Sequence, residues 1–281
     1  MNKWIVGARP RTLPAAIAPV LVATVYAGSN WDSIPAFSAL LVSLSLQIGV
    51  NYANDYSDGI RGTDDSRIGP VRLTASGLAS PNAVRTAALI SFLFAAFLGL
   101  TLAIATSWWI ILVGALAIGA AWGYTGGANP YGYQGLGELS VFLFFGIVAT
   151  TGSYFVQTEE LNLEIFIIAV PMGSLACAIL AINNLRDRAQ DEIVGKKTLA
   201  VRLGDRGARR LYIALLISAH IFALLTFKPA VALTLLAAPL TWNLACGVAR
   251  GASGGDLIPY LAKTGKLQMV FAILFALGLT I

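Results

Sequence analysis

Apolar runs long enough to cross a lipid bilayer recur along almost the whole chain. A transmembrane helix needs about 20 mostly apolar residues. Runs near that length lie at 13–28, 34–53, 87–105, 108–122, 139–156, 165–182, 211–227, 230–248 and 267–281. Only 12% of the residues are charged, about half the share of a typical soluble domain. The sequence therefore excludes an ordinary soluble enzyme and predicts an all-α polytopic membrane protein, a bundle of nine transmembrane helices in one domain, 1–281.

The basic residues predict the orientation of this bundle. Lys and Arg are concentrated in the cytoplasmic segments of membrane proteins. With the N-terminus in the cytoplasm, all but one of the 19 basic residues fall in inner segments, and the exception is Lys228. The sequence therefore predicts a cytoplasmic N-terminus and a basic cytoplasmic face, which suits anionic lipid headgroups or an anionic substrate.

Acidic and amide side chains form two sets, each at the end of an apolar run. The second run leads into Asn51, Asn54, Asp55, Asp58, Asp64 and Asp65, and the sixth leads into Asn184, Asp187 and Asp191. Within the first set Asn51, Asp55 and Asp58 are spaced i, i+4, i+7, and the second set is spaced i, i+3, i+7, so each is expected on one helical face. The second and sixth runs are four helices apart, and successive membrane helices alternate in direction, so these two helices run the same way across the membrane. Both sets are therefore expected on the cytoplasmic side, facing each other.

Crowded carboxylates repel one another unless a cation lies between them. Mg²⁺ prefers one or two carboxylates together with the oxygens of a substrate phosphate. A basic loop follows each set, and its Arg and Lys side chains are typical phosphate ligands. These residues are Arg61, Arg67 and Arg72 after the first set, and Lys196, Lys197 and Arg202 after the second. The pattern predicts a site for Mg²⁺ and a phosphate.

Two other interpretations of the acidic sets remain open. Asp, Asn and Arg are also common at ordinary solvated helix ends. Alternatively, Asp55, Asp58, Asp187 and Asp191 could be the ion sites of a cation-coupled secondary transporter. Glu138, which opens the fifth run, has two readings of its own. An acid there favours the helix dipole, and a role in substrate binding is the alternative.

Further short motifs accompany the two acidic sets. They are RPRTLP at 9–14, NYANDYSD at 51–58, GP at 69–70, YTGG at 124–127, NLRDRAQD at 184–191 and GKKTL at 195–199. In this order and spacing they resemble the UbiA-type intramembrane prenyltransferases. Within that family they are most similar to the branch that prenylates 1,4-dihydroxy-2-naphthoate in menaquinone biosynthesis.

The resemblance implies a reaction, a cofactor and a location. The reaction is transfer of a polyprenyl group from an isoprenyl diphosphate to 1,4-dihydroxy-2-naphthoate, with Mg²⁺ as cofactor and with loss of CO₂ and diphosphate. The expected location is the inner cell membrane of a bacterium, with the active site facing the cytoplasm. Prenylation of 4-hydroxybenzoate, haem or chlorophyllide is the alternative within the family.

The resemblance also implies roles for individual residues. The catalytic set is Asp55, Asp58, Asp187 and Asp191. Asp55, Asp58 and Asp64 would bind one Mg²⁺, and Asp187 with Asp191 would bind a second, although Asp65 could replace Asp64. The diphosphate ligands would be Arg67, Arg72, Lys196 and Arg202. Substrate contacts are expected from Asn51, Asn54, Asn184, Tyr124 and Arg9, with Arg9, Arg11 or Lys263 opposite the acceptor carboxylate. The aromatic faces expected near an allylic cation are those of Tyr52, Tyr56, Tyr124, Tyr131 and Tyr133.

Overall fold

A computed structural model describes residues 2–64 and 69–281, whose regular secondary structure is helical. The helices are α1 (Lys3–Ala8), α2 (Pro14–Tyr26), α3 (Ser33–Ile60), α4 (Pro81–Ala105), α5 (Trp109–Gly123), α6 (Gly137–Thr158), α7 (Leu163–Ile193), α8 (Leu199–Leu224), α9 (Pro229–Ala249) and α10 (Gly254–Thr280). Asp65 and Arg67, which the sequence analysis assigned to the site, lie outside the described residues.

Seven of these helices, α3, α4 and α6 to α10, are long and apolar enough to cross a membrane. Helices α2 and α5 coincide with the first and fourth predicted runs, but they have 13 and 15 residues. A full crossing needs about 20. The prediction of an all-helical membrane protein is confirmed, whereas the count of nine spans and the cytoplasmic N-terminus stay predictions.

Helix α7 runs through the larger of the hydrophobic clusters and packs against α2, α6, α8 and α10. Its start is fixed by Asn162, whose side chain accepts the N–H of Ile165. Small residues allow helices to approach closely in lipid. Accordingly, Gly146 of α6 lies so close to Gly173 of α7 that a methyl group on Gly146 would overlap the Gly173 backbone. This contact lies within the π-helical segment Phe142–Val148, a type of distortion that is frequent at functional sites.

A smaller core joins α3, α4 and the segment that connects them. Tyr52, Leu73 and Phe92 are buried in it. The hydroxyl of Tyr52 also donates to the carbonyl of Trp4 at 2.6 Å, which ties α1 to the C-terminal half of α3. The ends of α1 and α3 and the connecting segment therefore form one packed unit beside the first acidic set.

Candidate active site

One cavity of about 1000 Å³ contacts residues from both acidic sets. It follows α3 from Asp58 to Ala39, a length of about 28 Å at 1.5 Å per helical residue. Its polar end is formed by Asn51, Asn54, Asp58, Asp64, Arg72, Asn183, Asn184, Asp187, Asp191 and Lys196. The sequence prediction that the two sets face each other thus agrees with the geometry of the described residues.

Lys196 connects the two acidic helix ends. Its ammonium lies 3.2 Å from Asp58 Oδ2 and 4.6 Å from the centre of the Tyr133 ring. Burial of the ammonium opposes its charge, but Asp58, Tyr133, Asp191 and Asp64 outweigh this effect and raise the pKa of Lys196. Lys196 is therefore a buried cation that connects the segment after α7, to which it belongs, with α3.

Tyr133 completes the contacts of Asp58. Its hydroxyl donates to Asp58 Oδ1 at 2.5 Å. Burial and the nearby Asp58 carboxylate raise the pKa of the Tyr133 phenol, so the hydroxyl keeps its proton. The guanidinium of Arg61 stacks over the same ring at 5.4 Å and donates to the carbonyls of Thr125 and Gly127. Arg61 therefore fixes the Thr125–Gly127 turn beside the site.

The second acidic helix end has its own cation. Arg186 donates to Asp187 through Nε and Nη2, both at 2.7 Å, and Nη2 also donates to Asn183 Oδ1 at 2.8 Å. Asn184 donates to Glu138 Oε1 at 3.0 Å. Glu138 is buried and is outside the cavity lining, so in this structure it positions the Asn184 amide.

Asp55 does not line the cavity, in contrast to Asn51, Asn54 and Asp58. Its carboxylate is fully buried and accepts the backbone N–H groups of Leu73 and Thr74 at 2.8 and 2.9 Å. At about 100° per residue, positions 51, 54 and 58 share one face of α3 and position 55 falls at its edge. Asn51, Asp55 and Asp58 keep the predicted spacing on α3, within about 60° of one another, but Asp55 lies on the side of that face that meets the Leu73–Thr74 backbone and not the cavity.

Arg72 brings a second buried cation to the polar end. Its Nε lies 3.1 Å from Asp64 Oδ2, and its Nη1 is buried without a hydrogen-bond partner among the described residues. A buried donor without a partner is costly. The arrangement suits an anion that approaches through the cavity.

Within residues 2–64 and 69–281, no three acidic, His or Cys side chains are grouped as a ready-made metal site. Asp58, Asp64 and Asp187 are paired with Lys196, Arg72 and Arg186 instead. Oxygen ligands and a few carboxylates are what Mg²⁺ uses when substrate phosphates supply its other ligands. The residues present therefore fit a Mg²⁺ ion that enters with a diphosphate better than one held by the protein alone.

The N-terminal segment closes the polar end on a third side. Arg9, which has a left-handed φ of 52°, donates from Nη2 to the Asn51 carbonyl at 3.1 Å. Thr12 Oγ1 accepts from Gln47 at 2.9 Å and from the Asn51 amide at 3.1 Å. A strained backbone of this kind often marks a functional site. Thr12 and Gln47 also line the cavity, although neither residue was among the predicted site residues.

The other part of the cavity is apolar. We call it the apolar arm and define it by Ala39, Val42, Gly99, Leu100, Trp109, Ile111, Gly114, Phe144, Phe145, Val148 and Gly152. A Cβ atom added to Gly99, Gly114 or Gly152 would meet no atom within 4 Å. Leu100, Trp109 and Ile111 line the arm and are also exposed. The wall of the arm is therefore formed in part by apolar, accessible side chains of α4 and α5.

The predicted site residues divide into three groups. The cavity lining contains Arg9, Asn51, Asn54, Asp58, Asp64, Arg72, Tyr124, Asn184, Asp187, Asp191 and Lys196. Asp55 and Arg202 are not part of it, and Arg202 is exposed and donates from Nε to the Lys197 carbonyl at 3.2 Å. Arg67 lies outside the described residues. Of the five tyrosines, Tyr124, Tyr131 and Tyr133 line the cavity, whereas Tyr52 and Tyr56 do not.

The sequence is similar to those of known prenyltransferases. Residues 16–254 match the model of the UbiA prenyltransferase family. The chain is 49% identical to a 1,4-dihydroxy-2-naphthoate octaprenyltransferase of Mycobacterium tuberculosis, over 98% of this chain and 95% of that protein. A protein of the same name in Escherichia coli is 37% identical over 98% of this chain and 94% of that protein.

The fold is also similar to a solved structure. A UbiA homologue from Archaeoglobus fulgidus, in a structure bound to GPP and Mg²⁺, superposes with a TM-score of 0.71 at 14% identity, and all of each chain is covered. At this identity the similarity concerns the fold alone. The match to the family model and the two relatives together establish that the chain belongs to the UbiA prenyltransferase family.

Proposed function

We propose that this chain transfers a polyprenyl group from an isoprenyl diphosphate to 1,4-dihydroxy-2-naphthoate, with loss of diphosphate and CO₂, to give demethylmenaquinol. The observation that carries the proposal is one continuous cavity, in which a polar end with four carboxylates and two buried cations continues into the apolar arm. These two parts match the two parts of a polyprenyl diphosphate. The names of the relatives support the acceptor.

The diphosphate would bind at the polar end together with Mg²⁺. Asp58, Asp64, Asp187 and Asp191 are the carboxylates proposed to hold the ion, with amide oxygens of Asn54 or Asn184 nearby. When bound, Mg²⁺ would neutralise the charge of the diphosphate and make it a better leaving group. Lys196 and Arg72 would then turn from Asp58 and Asp64 to the phosphate oxygens.

Lys196 and Arg72 would contribute most as the C–O bond breaks. The electron pair of this bond stays with the diphosphate, so negative charge grows opposite the two cations. Interactions that strengthen in this way lower the barrier instead of only tightening substrate binding. The allylic carbon becomes cationic at the same time, and the faces of Tyr124, Tyr131 and Tyr133 can stabilise it.

The acceptor carbon that carries the carboxylate would then attack the allylic carbon. The new C–C bond forms, the bond to the carboxylate breaks, and its electron pair restores the aromatic ring as CO₂ leaves. The reaction therefore requires no base, because CO₂ leaves from the ring carbon in place of a proton. Arg9, on the cavity wall beside Asn51, is the residue proposed to bind the acceptor carboxylate.

We also propose an orientation for the protein in the membrane. We place the polar end at the cytoplasmic face of a bacterial inner membrane, with the N-terminus in the cytoplasm and with α2 and α5 completing nine spans. The apolar arm then lies at the depth of the hydrocarbon, and we propose that a long tail leaves it between α4 and α5, whose Leu100, Trp109 and Ile111 line the arm and are exposed.

The experiment is turnover by the purified protein in detergent, with Mg²⁺, geranyl or octaprenyl diphosphate, and a panel of acceptors. The panel contains 1,4-dihydroxy-2-naphthoate, 4-hydroxybenzoate, haem and chlorophyllide. Mass spectrometry should detect the prenylated naphthoquinol, and CO₂ should be released in equal amount. Faster turnover of another acceptor would contradict the proposed substrate, and an absence of product with every acceptor would contradict the proposed reaction.

A further inference from the structure

The fully buried carboxylate of Asp55 is directed at backbone and not at the cavity. Its two oxygens accept the N–H groups of Leu73 and Thr74, and Asp55 is absent from the residues that line the cavity. Hydrogen bonds from backbone N–H groups to a carboxylate are charge-assisted and among the stronger ones in proteins. The contact therefore fixes the position of residues 72–74 relative to α3.

Residue 72 in this fixed segment is the buried arginine of the polar end. Leu73, next to it, is fully buried in the core that also contains Tyr52 of α3. It lies so close to Gly7 of α1 that a methyl group there would collide with the Leu73 side chain. Thr74 packs against Gly59 in the same close way. With the backbone held on both sides, the Arg72 side chain is directed to Asp64 and into the cavity.

We infer that Asp55 is a positioning residue, which holds the Leu73 and Thr74 N–H groups so that the Arg72 guanidinium meets the donor diphosphate, and that it is not a ligand of Mg²⁺. This inference rests on the proposed function, since it assumes a diphosphate at the polar end. It assigns different roles to two acids three residues apart on one helix. Asp58 lines the cavity and Asp55 does not.

The first test compares Asp55→Asn with Asp58→Asn. Asn at position 55 can keep one acceptor but places an NH₂ group opposite the second N–H. A positioning role predicts that Asp55→Asn raises the KM for the donor about tenfold or more, while the Mg²⁺ concentration for half-maximal activity stays within twofold of wild type. Asp58→Asn should raise that Mg²⁺ concentration. An equal rise in Asp55→Asn would overturn the inference.

The second test asks whether Asp55 acts through Arg72. Residues in one interaction network have non-additive effects. In the Arg72→Ala background, Asp55→Asn should therefore raise the donor KM less than twofold further. If the two effects on the donor KM multiply, Asp55 acts independently of Arg72 and the inference fails.

The third test uses the wild-type protein and does not depend on the folding of a variant. Hydrogen exchange of the Leu73 and Thr74 amides should be slow and should stay slow when Mg²⁺ and diphosphate are added. Faster exchange on their addition would mean that the carboxylate leaves these N–H groups for the metal, which contradicts the inference. Wild-type turnover, measured in parallel, separates this failure from a failure of the proposed reaction.

Discussion

The ammonium of Lys196 lies 3.2 Å from Asp58 Oδ2 and thereby joins the segment after α7 to the end of α3. The two residues are far apart in the chain, and both are buried. A cation in this position holds two acidic helix ends together while no diphosphate is bound. It can then contribute its charge when the diphosphate arrives.

Lys196→Met should lower kcat/KM for the donor about 10- to 100-fold, because a hydrogen bond to a charged group contributes about 1.5–3 kcal/mol. Lys197→Met is the matched control. Lys197 is its neighbour in sequence but is exposed and outside the cavity lining, so kcat/KM should change less than twofold. Equal losses in the two variants would mean that the basic segment acts through its overall charge and not through the Lys196 contact.

If the prenyl tail lies in the apolar arm, a side chain added there should affect long donors more than short ones. Gly114→Leu adds a side chain inside the arm, so kcat/KM for octaprenyl diphosphate should fall at least tenfold relative to that for geranyl diphosphate. Gly119→Leu is the control on the same helix, since a side chain there also meets open space and Gly119 does not line the cavity. An unchanged preference in Gly114→Leu would place the tail elsewhere.

Arg9 is predicted to recognise the acceptor carboxylate. Arg9→Met should weaken inhibition by a naphthoate analogue such as 1-hydroxy-2-naphthoate about tenfold or more, since the carboxylate loses a charge-assisted partner. Inhibition by 1-naphthol, which has no carboxylate, should stay within twofold. If both compounds lose affinity equally, Arg9 shapes the pocket and does not bind the carboxylate.

The proposed orientation can be measured with two single cysteines. In a background with Cys177→Ala and Cys246→Ser, Lys228→Cys should react with a membrane-impermeant thiol reagent in intact spheroplasts. Lys266→Cys should react only after the membrane is permeabilised. Both side chains are at least partly exposed, so access to the reagent depends on the side of the membrane. The reverse pattern would contradict a cytoplasmic N-terminus.

The sequence alone was sufficient to predict the features that depend on helical periodicity and on the apolar environment of the membrane. The apolar runs predicted the seven helices that are long and apolar enough to cross a membrane. The i, i+3, i+7 spacing placed Asn184, Asp187 and Asp191 on one face, and all three line the cavity. Both features depend only on residues close in the chain. Helix α3 also continues unbroken through Asn51, Asp55 and Asp58 to Ile60.

Contacts between distant segments could not be predicted in this way. Asp55 contacts the N–H groups of Leu73 and Thr74 and not the cavity, and the path of the loop that carries these two residues has no periodic signal. The hydrogen bonds from Tyr133 to Asp58 and from Asn184 to Glu138 also join distant segments and could not be predicted from the sequence. Arg202 follows the second acidic set in sequence, but the start of α8 directs it away from the cavity.

The most direct test of the account is a structure of this protein with Mn²⁺ and a non-hydrolysable geranyl thiolodiphosphate, with the metal located by its anomalous signal. We expect a diphosphate at the polar end and metal coordinated directly by carboxylate oxygens from both α3 and α7, including Asp58 and Asp191. The prenyl tail should extend past Gly114. Metal bound to only one of the two helix ends, or a diphosphate outside the cavity, would contradict it.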